Sequence, residues 1–225
     1  MNRSKMPMFL RAAAVAIAAG LCTAAWADKD DDDLRGGQWW QWAFSIPAAV
    51  SPTTDATGQN CMVGQRGSVW YLGGALGGGT ASRSCSVPQG VKLVVAVAGN
   101  AFVDTPGICG QGASYPVADV RAFLAGATDA ITASAILNSQ RVKLRRIRSE
   151  VFATALPADN LFTLFCGGPG SVPAGVYPRS LEDGYYAEIE HLRVGTHTLQ
   201  LVATDGGSFN QNVVYTLTVV PRDRR

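Results

Sequence analysis

Polar and apolar positions alternate along roughly the last forty residues of the chain. In the final run, for example, Val213, Tyr215, Leu217 and Val219 fall on one face, and more polar residues fall on the other. Because successive side chains of a strand point to opposite faces, this pattern predicts strands that each cover a core on one side. The predicted strands are residues 184–191, 196–203 and 212–220.

Shorter β-type runs occur throughout the preceding part of the chain, bounded by residues that favour turns. Residues 90–98 contain so little polarity that we expect this strand to be buried on both faces. Residues 73–79 contain five glycines, and we interpret them as the flexible tip of a hairpin between residues 68–72 and 80–87. The other predicted strands are residues 131–137, 142–147, 151–156 and 161–166.

Two segments have the apolar spacing of three to four residues that is typical of helices. Around Trp39, Trp40 and Trp42 the apolar side chains cover a broad arc, and the polar ones form a narrow strip. We expect this helix, residues 38–46, to end before a proline and to bury its arc in the core. Residues 116–127 form the second predicted helix, with a proline at its start.

The amino terminus predicts export. Residues 1–27 combine a basic start, an apolar stretch too short to span a bilayer, and small residues before a cleavage point, as a secretory signal peptide does. Cleavage after Ala27 removes three of the 19 basic residues and no acidic residue, which leaves 16 basic against 17 acidic side chains and a net charge of −1. We therefore expect a periplasmic or extracellular protein with no nucleic-acid partner and no transmembrane segment after cleavage.

The rest of the chain is predicted to form one domain. Residues 28–37 are highly charged, so we expect a flexible lead-in. Residues 38–225 have the length of a single β-rich domain, and a break into two subdomains would fall near residues 127–131.

Four cysteines remain after cleavage, and an even number in an exported protein predicts two disulfide bonds. Three pairings are open, of which the spacing favours Cys61 with Cys85 and Cys109 with Cys166. A metal or redox site would need closer Cys-x-x-Cys spacing. Together the patterns predict a mainly β fold, a disulfide-stapled antiparallel β-sandwich with two short helices that cover an end or an edge.

Two resemblances extend this interpretation. Residues 192–201, closed by residues 215–219, resemble the final strands of Ig-like bacterial sandwiches, which implies a fold and no function. Most of the chain after the signal peptide resembles a set of uncharacterised exported bacterial proteins, and this implies no particular activity. The motifs that carry the second resemblance are WWQWA-x-SIP at residues 39–47, NC at 60–61, GSVW at 67–70, SCSVP at 84–88, DGY at 183–185 and GTHT at 195–198.

Aromatic side chains supply the candidate ligand-binding residues, because their faces stack on sugar rings. The candidates are Trp70 and Tyr71 beside the glycine-rich segment, and Tyr185 and Tyr186 in a predicted strand. For most aromatic residues of the chain, burial in the core is the competing interpretation. We favour a non-catalytic extracytoplasmic binding or envelope-associated protein, with a polysaccharide or another envelope component as partner and no cofactor.

The alternative function is a secreted hydrolase. Paired carboxylates are available near residues 182–190, and Glu188 and Glu190 share one strand face at a spacing of about 7 Å, which suits an acid and a base. His191 and His197 lie on either side of one turn, where they could approach each other or, with a third ligand, hold a transition metal. The other interpretation is that these carboxylates are simply exposed on a strand face and that the histidines lie in a turn, where they bind backbone groups. We predict no metal site and assign no catalytic residue.

The basic residues concentrate at Lys143, Arg145, Arg146 and Arg148. This segment could contact an anionic polysaccharide or the acidic tail of another copy. It could equally protect an edge strand, because positive charge discourages unwanted sheet extension. These interpretations, and the oligomeric state, stay open.

Overall fold

The computed structural model describes residues 31–168 and 170–222. The predicted signal peptide and the first three residues of the predicted lead-in lie outside the described residues. The helices are α1 (Asp31–Ser45), α2 (Val117–Asp129) and the 3-10 turns Ala48–Val50 and Leu161–Leu164. The strands are β1 (Val69–Gly73), β2 (Gly79–Pro88), β3 (Lys92–Val103), β4 (Thr132–Leu137), β5 (Gln140–Val142), β6 (Arg145–Arg148), β7 (Phe152–Leu156), β8 (Gly175–Ile189), β9 (Gly195–Thr204) and β10 (Asn210–Val220). No helix among these residues is long and apolar enough to cross a bilayer.

The strands form two sheets. Sheet A has the order β1-β3-β8-β6, with β7 also pairing with β8, and sheet B has the order β2-β10-β9-β4-β5. The predicted mainly β sandwich with two α-helices is confirmed, and so are the cysteine pairs Cys61–Cys85 and Cys109–Cys166. The antiparallel prediction is wrong for two pairs, since β1 is parallel to β3 and β2 is parallel to β10.

One hydrophobic core lies between the sheets. The alternating residues of β9 and β10 face it, so that Leu199, Leu201, Val213 and Leu217 are fully buried, as the period of two predicted. Fully burying an aliphatic side chain of this size stabilises the fold by about 1.5–3 kcal/mol. Strands from both sides of the predicted break near residues 127–131 occur in each sheet, so the two segments share this core.

Helix α1 covers the other face of sheet A. Its tryptophans Trp39, Trp40 and Trp42 are buried in a second core cluster that also contains Val94 and Ala96 of β3. Strand β3 is therefore buried on both faces, as its continuous apolar run predicted. The predicted burial of the tryptophans is confirmed, but the helix lies across a sheet face rather than at an end or edge. It also begins at residue 31, so part of the predicted lead-in is helical.

The chain changes sheets at several places where the sequence predicted hairpins or strands. Strands β1 and β2 belong to different sheets, so residues 73–79 are a crossover and the predicted hairpin is wrong. The predicted strand 142–147 is divided between β5 in sheet B and β6 in sheet A. Residues 161–164 form a 3-10 turn instead of a strand, because the side chain of Asn160 caps the turn by accepting a hydrogen bond from the backbone N–H of Phe162.

A buried arginine anchors the glycine-rich crossover. Arg83 of β2 is 3% exposed and donates hydrogen bonds to the carbonyl oxygens of Thr53, Asp55 and Gly73 at 3.1, 2.6 and 2.9 Å. It also donates to the hydroxyl of Tyr215 at 2.6 Å. Because a buried charge is tolerated only when its donors are satisfied, this network fixes the base of the crossover, which is not a free hairpin tip.

Candidate functional site

The structure separates the four aromatic residues that the sequence offered for ligand binding. Trp70 is buried between the sheets, and Tyr71 packs on the opposite side of β1 against Trp42, with ring centroids 5.5 Å apart. Tyr186 is buried beneath α1. Tyr185 points to the opposite face of β8, where it is half-buried and lines an open cavity. The four therefore do not form one ligand face, and Tyr185 is the member with an open approach.

The cavity beside Tyr185 has a volume of about 660 Å³. It lies where the chain passes from β5 in sheet B to β6 in sheet A. We call it the cationic cleft, since three basic residues line it and none of the described residues in its lining is acidic. Its lining consists of Ile131, Thr132, Ala133, Ser134, Arg141, Val142, Lys143, Leu144, Arg146 and Tyr185.

Arg146 is fixed beside the ring of Tyr185. The register of β6 against β8 places the two residues directly opposite each other, and the guanidinium carbon lies 6.0 Å from the ring centroid. Nε and Nη2 of Arg146 donate to the two carboxylate oxygens of Asp183 at 2.6 and 2.9 Å. Further contacts to Asp129 and to the carbonyl of Ala125 tie the arginine to α2.

The carboxylate of Asp183 makes this geometry rigid. Its side chain is 2% exposed, and it also accepts a hydrogen bond from Nε of Arg148 at 3.1 Å. The hydrogen bond to Asp183 is the first cause that raises the pKa of Arg146 above its usual value, so the guanidinium stays charged. A fixed planar cation, which lies over an aromatic ring, and that ring thus line the same cleft.

The other polar groups of the cleft are more exposed. Arg141 and Lys143 lie at the surface, and the hydroxyls of Thr132 and Ser134 line the same cavity. An aromatic face with several donors around it is the arrangement that binds the apolar face and the hydroxyls of a sugar ring. Sequence reasoning named Tyr185 and part of the basic segment separately, but it missed that β6 and β8 bring them together, and it missed Arg141.

A second concave surface, the aromatic groove, lies beside the glycine-rich crossover and has a volume of about 350 Å³. Phe165 is 61% exposed at this groove. The sequence placed a ligand face beside this crossover, and a concave surface is present there, but its aromatic lining does not include Trp70 or Tyr71. Its lining includes Trp40, Phe44, Phe162, Phe165 and Phe209, with Leu76 and Gly77 from the crossover.

A carboxyl group is buried between α1 and sheet A. Glu182 is 1% exposed, and its Oε2 accepts a hydrogen bond from the hydroxyl of Tyr186 at 2.8 Å. Its Oε1 has no hydrogen-bond partner among the described residues, and it lies against the backbone of Gly36, where any side chain would clash with it. Burial is the first cause that raises the pKa of Glu182 to about 8, so the group carries a proton at neutral pH.

Three residues of the hydrolase alternative, Glu188, Glu190 and His191, lie around an ion-pair cluster at the surface. Nζ of Lys92 lies 2.8 Å from a carboxylate oxygen of Glu188 and 2.8 Å from one of Glu190. The side chain of His191 is 92% exposed, and its Nδ1 is 3.9 Å from Glu190. The ammonium group of Lys92 thus bridges the two carboxylates, as in an ordinary ion-pair cluster on a strand surface.

The two histidines do not face each other across a hairpin, because β8 and β9 belong to different sheets. Nε2 of His197 contacts the carbonyl oxygen of Arg193 at 2.8 Å, and Nδ1 contacts the amide of Asn138 at 2.8 Å. Since a carbonyl only accepts, Nε2 carries the hydrogen and Nδ1 accepts from the amide. No group of three or more potential metal ligands occurs within residues 31–168 and 170–222.

Comparison of the chain with models of known protein families and with curated proteins finds no match.

Proposed function

We propose that this chain is an exported, non-catalytic binding protein whose ligand is a carbohydrate. The observation that carries the proposal is the ring of Tyr185, which lines the cationic cleft beside the guanidinium of Arg146. A protein that binds sugars needs an aromatic platform and fixed polar groups at an accessible surface. This cleft supplies both, and its fixed arginine requires no reordering when a ligand enters.

Three further observations support the proposal over its alternatives. The aromatic groove is lined mostly by apolar side chains and offers few polar partners for sugar hydroxyls. The four cysteines within residues 31–168 lie in two disulfide pairs, which is typical of proteins that fold in an oxidising compartment. The carboxylates of the hydrolase alternative, Glu188 and Glu190, are paired with Lys92, and neither they nor the two histidines line the cleft.

The test is retention on immobilised envelope and plant polysaccharides. The full chain is expressed with its leader in an exporting host, so that the disulfides form, and its retention is compared with that of Tyr185→Ala. Loss of a stacking platform should weaken binding by roughly fivefold or more, if the about 1–3 kcal/mol that a nucleobase gains by stacking on an aromatic ring is taken as the scale. Tyr115→Ala is the matched control, because Tyr115 is exposed and does not line the cleft.

Two results would contradict the proposal. One is the absence of retention on every polysaccharide, and the other is equal retention of Tyr185→Ala and the unchanged protein. Trp70→Ala is unsuitable for this test because it opens a cavity in the core between the sheets, so a loss of binding would report unfolding.

A further inference from the structure

We propose that the ligand of the cationic cleft is an acidic glycan, and that its anionic groups bind Arg141 and Lys143. This inference rests on the proposed carbohydrate-binding function and narrows its ligand to one chemical class.

The cations of the cleft fall into two groups. Arg146 is compensated by the carboxylates of Asp183 and Asp129. Arg141 and Lys143 make no ion pair with any residue that the structure describes. Since the described lining of the cleft contains no acidic residue, these two side chains leave it with an uncompensated positive charge. Such a cleft attracts anionic ligands and discriminates against cationic ones.

The two cations occupy positions that an extended acidic ligand can contact in succession. They are two residues apart, Arg141 in β5 and Lys143 just after it, so their Cα atoms are separated by at most roughly 7 Å. The planar guanidinium of Arg141 matches a carboxylate or sulfate through two parallel hydrogen bonds, and the ammonium of Lys143 binds either as a point charge. The ring of Tyr185 and the hydroxyls of Thr132 and Ser134 then contact the sugar itself.

A nucleic acid fits the same observations less well. Strong binding to a phosphate backbone requires several phosphate contacts along a positively charged groove, and usually more than one aromatic platform. The cleft offers two uncompensated cations and one tyrosine, and the chain that remains after the predicted cleavage has a net charge of −1. We therefore treat an oligonucleotide as a competing outcome of the test.

The test measures dissociation constants by calorimetry for four probes. Polygalacturonate oligosaccharides carry carboxylates, dextran sulfate carries sulfates, dextran is neutral, and a single-stranded oligonucleotide carries phosphates. We expect the double variant Arg141→Gln/Lys143→Gln to weaken binding of an acidic glycan about tenfold, which corresponds to about 1.4 kcal/mol. We also expect it to reduce the dependence of binding on salt and to leave neutral dextran unaffected.

The matched control is Arg66→Gln/Arg193→Gln, which changes the net charge equally at exposed residues that do not line the cleft. The inference is overturned if this control weakens the binding of acidic glycans as much as Arg141→Gln/Lys143→Gln does. It is also overturned if acidic glycans bind no more tightly than dextran, or if the oligonucleotide binds as tightly as the acidic glycans. Preference for polygalacturonate assigns a carboxylate, and preference for dextran sulfate assigns a sulfate. Failure of the proposed carbohydrate-binding function would give a different result, because Tyr185→Ala would then leave the binding of every glycan unchanged.

Discussion

The substitution Glu182→Gln tests how the buried carboxyl beneath α1 links stability to pH. The amide has the shape of a protonated carboxyl and can keep the hydrogen bond from the hydroxyl of Tyr186. It also places a donor where the proton of the carboxyl would lie, against the backbone of Gly36. The substitution therefore removes titration from the site while it retains the packing.

The expected magnitude follows from the raised pKa. Glu182 has a pKa of about 8 in the folded protein, against 4.5 for an unperturbed glutamate. Between these values the folded protein holds a proton that the unfolded chain has released, so the free energy of unfolding falls as the pH rises. The stabilising contribution is fully present below pH 4.5 and is lost as the pH passes through about 8. A difference from 4.5 to about 8, at about 1.4 kcal/mol per pKa unit, corresponds to a loss of about 5 kcal/mol.

The assay is urea unfolding, followed by tryptophan fluorescence, at a series of pH values between 5 and 9. The buried tryptophans of α1 report on the region that contains the carboxyl. Near pH 5 the variant and the unchanged protein should differ by less than about 1 kcal/mol, and near pH 9 the variant should be more stable by several kcal/mol. Other titrating groups are common to both proteins and cancel in the difference. A stability difference that stays constant over this pH range would refute the reasoning.

Four further variants test the packing of the fold by urea unfolding. Arg83→Met leaves the buried carbonyls around the crossover without donors and should destabilise the protein by more than about 3 kcal/mol, whereas a loss below 1 kcal/mol would contradict an anchoring role. Gly36→Ala should lower the free energy of unfolding by about 1–3 kcal/mol, because the added methyl group overlaps the carboxyl of Glu182. Gly126→Ala should raise it by about 0.5–1 kcal/mol, because Gly126 lies in α2 with open space around it. Equal effects of the two substitutions on stability would refute the steric argument. Replacing Cys109 and Cys166 together by serine removes the disulfide that closes a loop with a sequence separation of 57. By the chain-entropy relation this should lower the free energy of unfolding by about 4 kcal/mol. An unchanged urea midpoint would contradict this expectation.

Local patterns in the sequence predicted those elements in which the buried residues follow one regular pattern along the chain. The alternation in β10 identified its buried face, and the unbroken apolar run of β3 identified a strand covered on both sides. The broad arc around Trp39 and Trp42 identified a deeply buried helix. In each case the positions of the apolar side chains within the element indicate which of its faces are buried.

The pairing of strands could not be predicted in the same way. Alternation shows which side chains share a face, but it does not show which strand lies alongside, and so β1 was assigned to β2 when it pairs with β3. The crossover between them depends on Arg83, whose partners come from three separate parts of the chain. The candidate site could not be predicted for the same reason, because only the register of β6 against β8 brings Arg146 next to Tyr185.

The most direct test of the central claim is to map where a glycan contacts the protein. Amide ¹H–¹⁵N spectra of the labelled full chain are recorded during titration with a polygalacturonate oligosaccharide. The account predicts that the largest shifts occur in β5, β6 and the part of β8 around Tyr185, and that they disappear in Tyr185→Ala. Shifts centred on the aromatic groove around Phe162 and Phe165, or no shifts at saturating oligosaccharide, would contradict it.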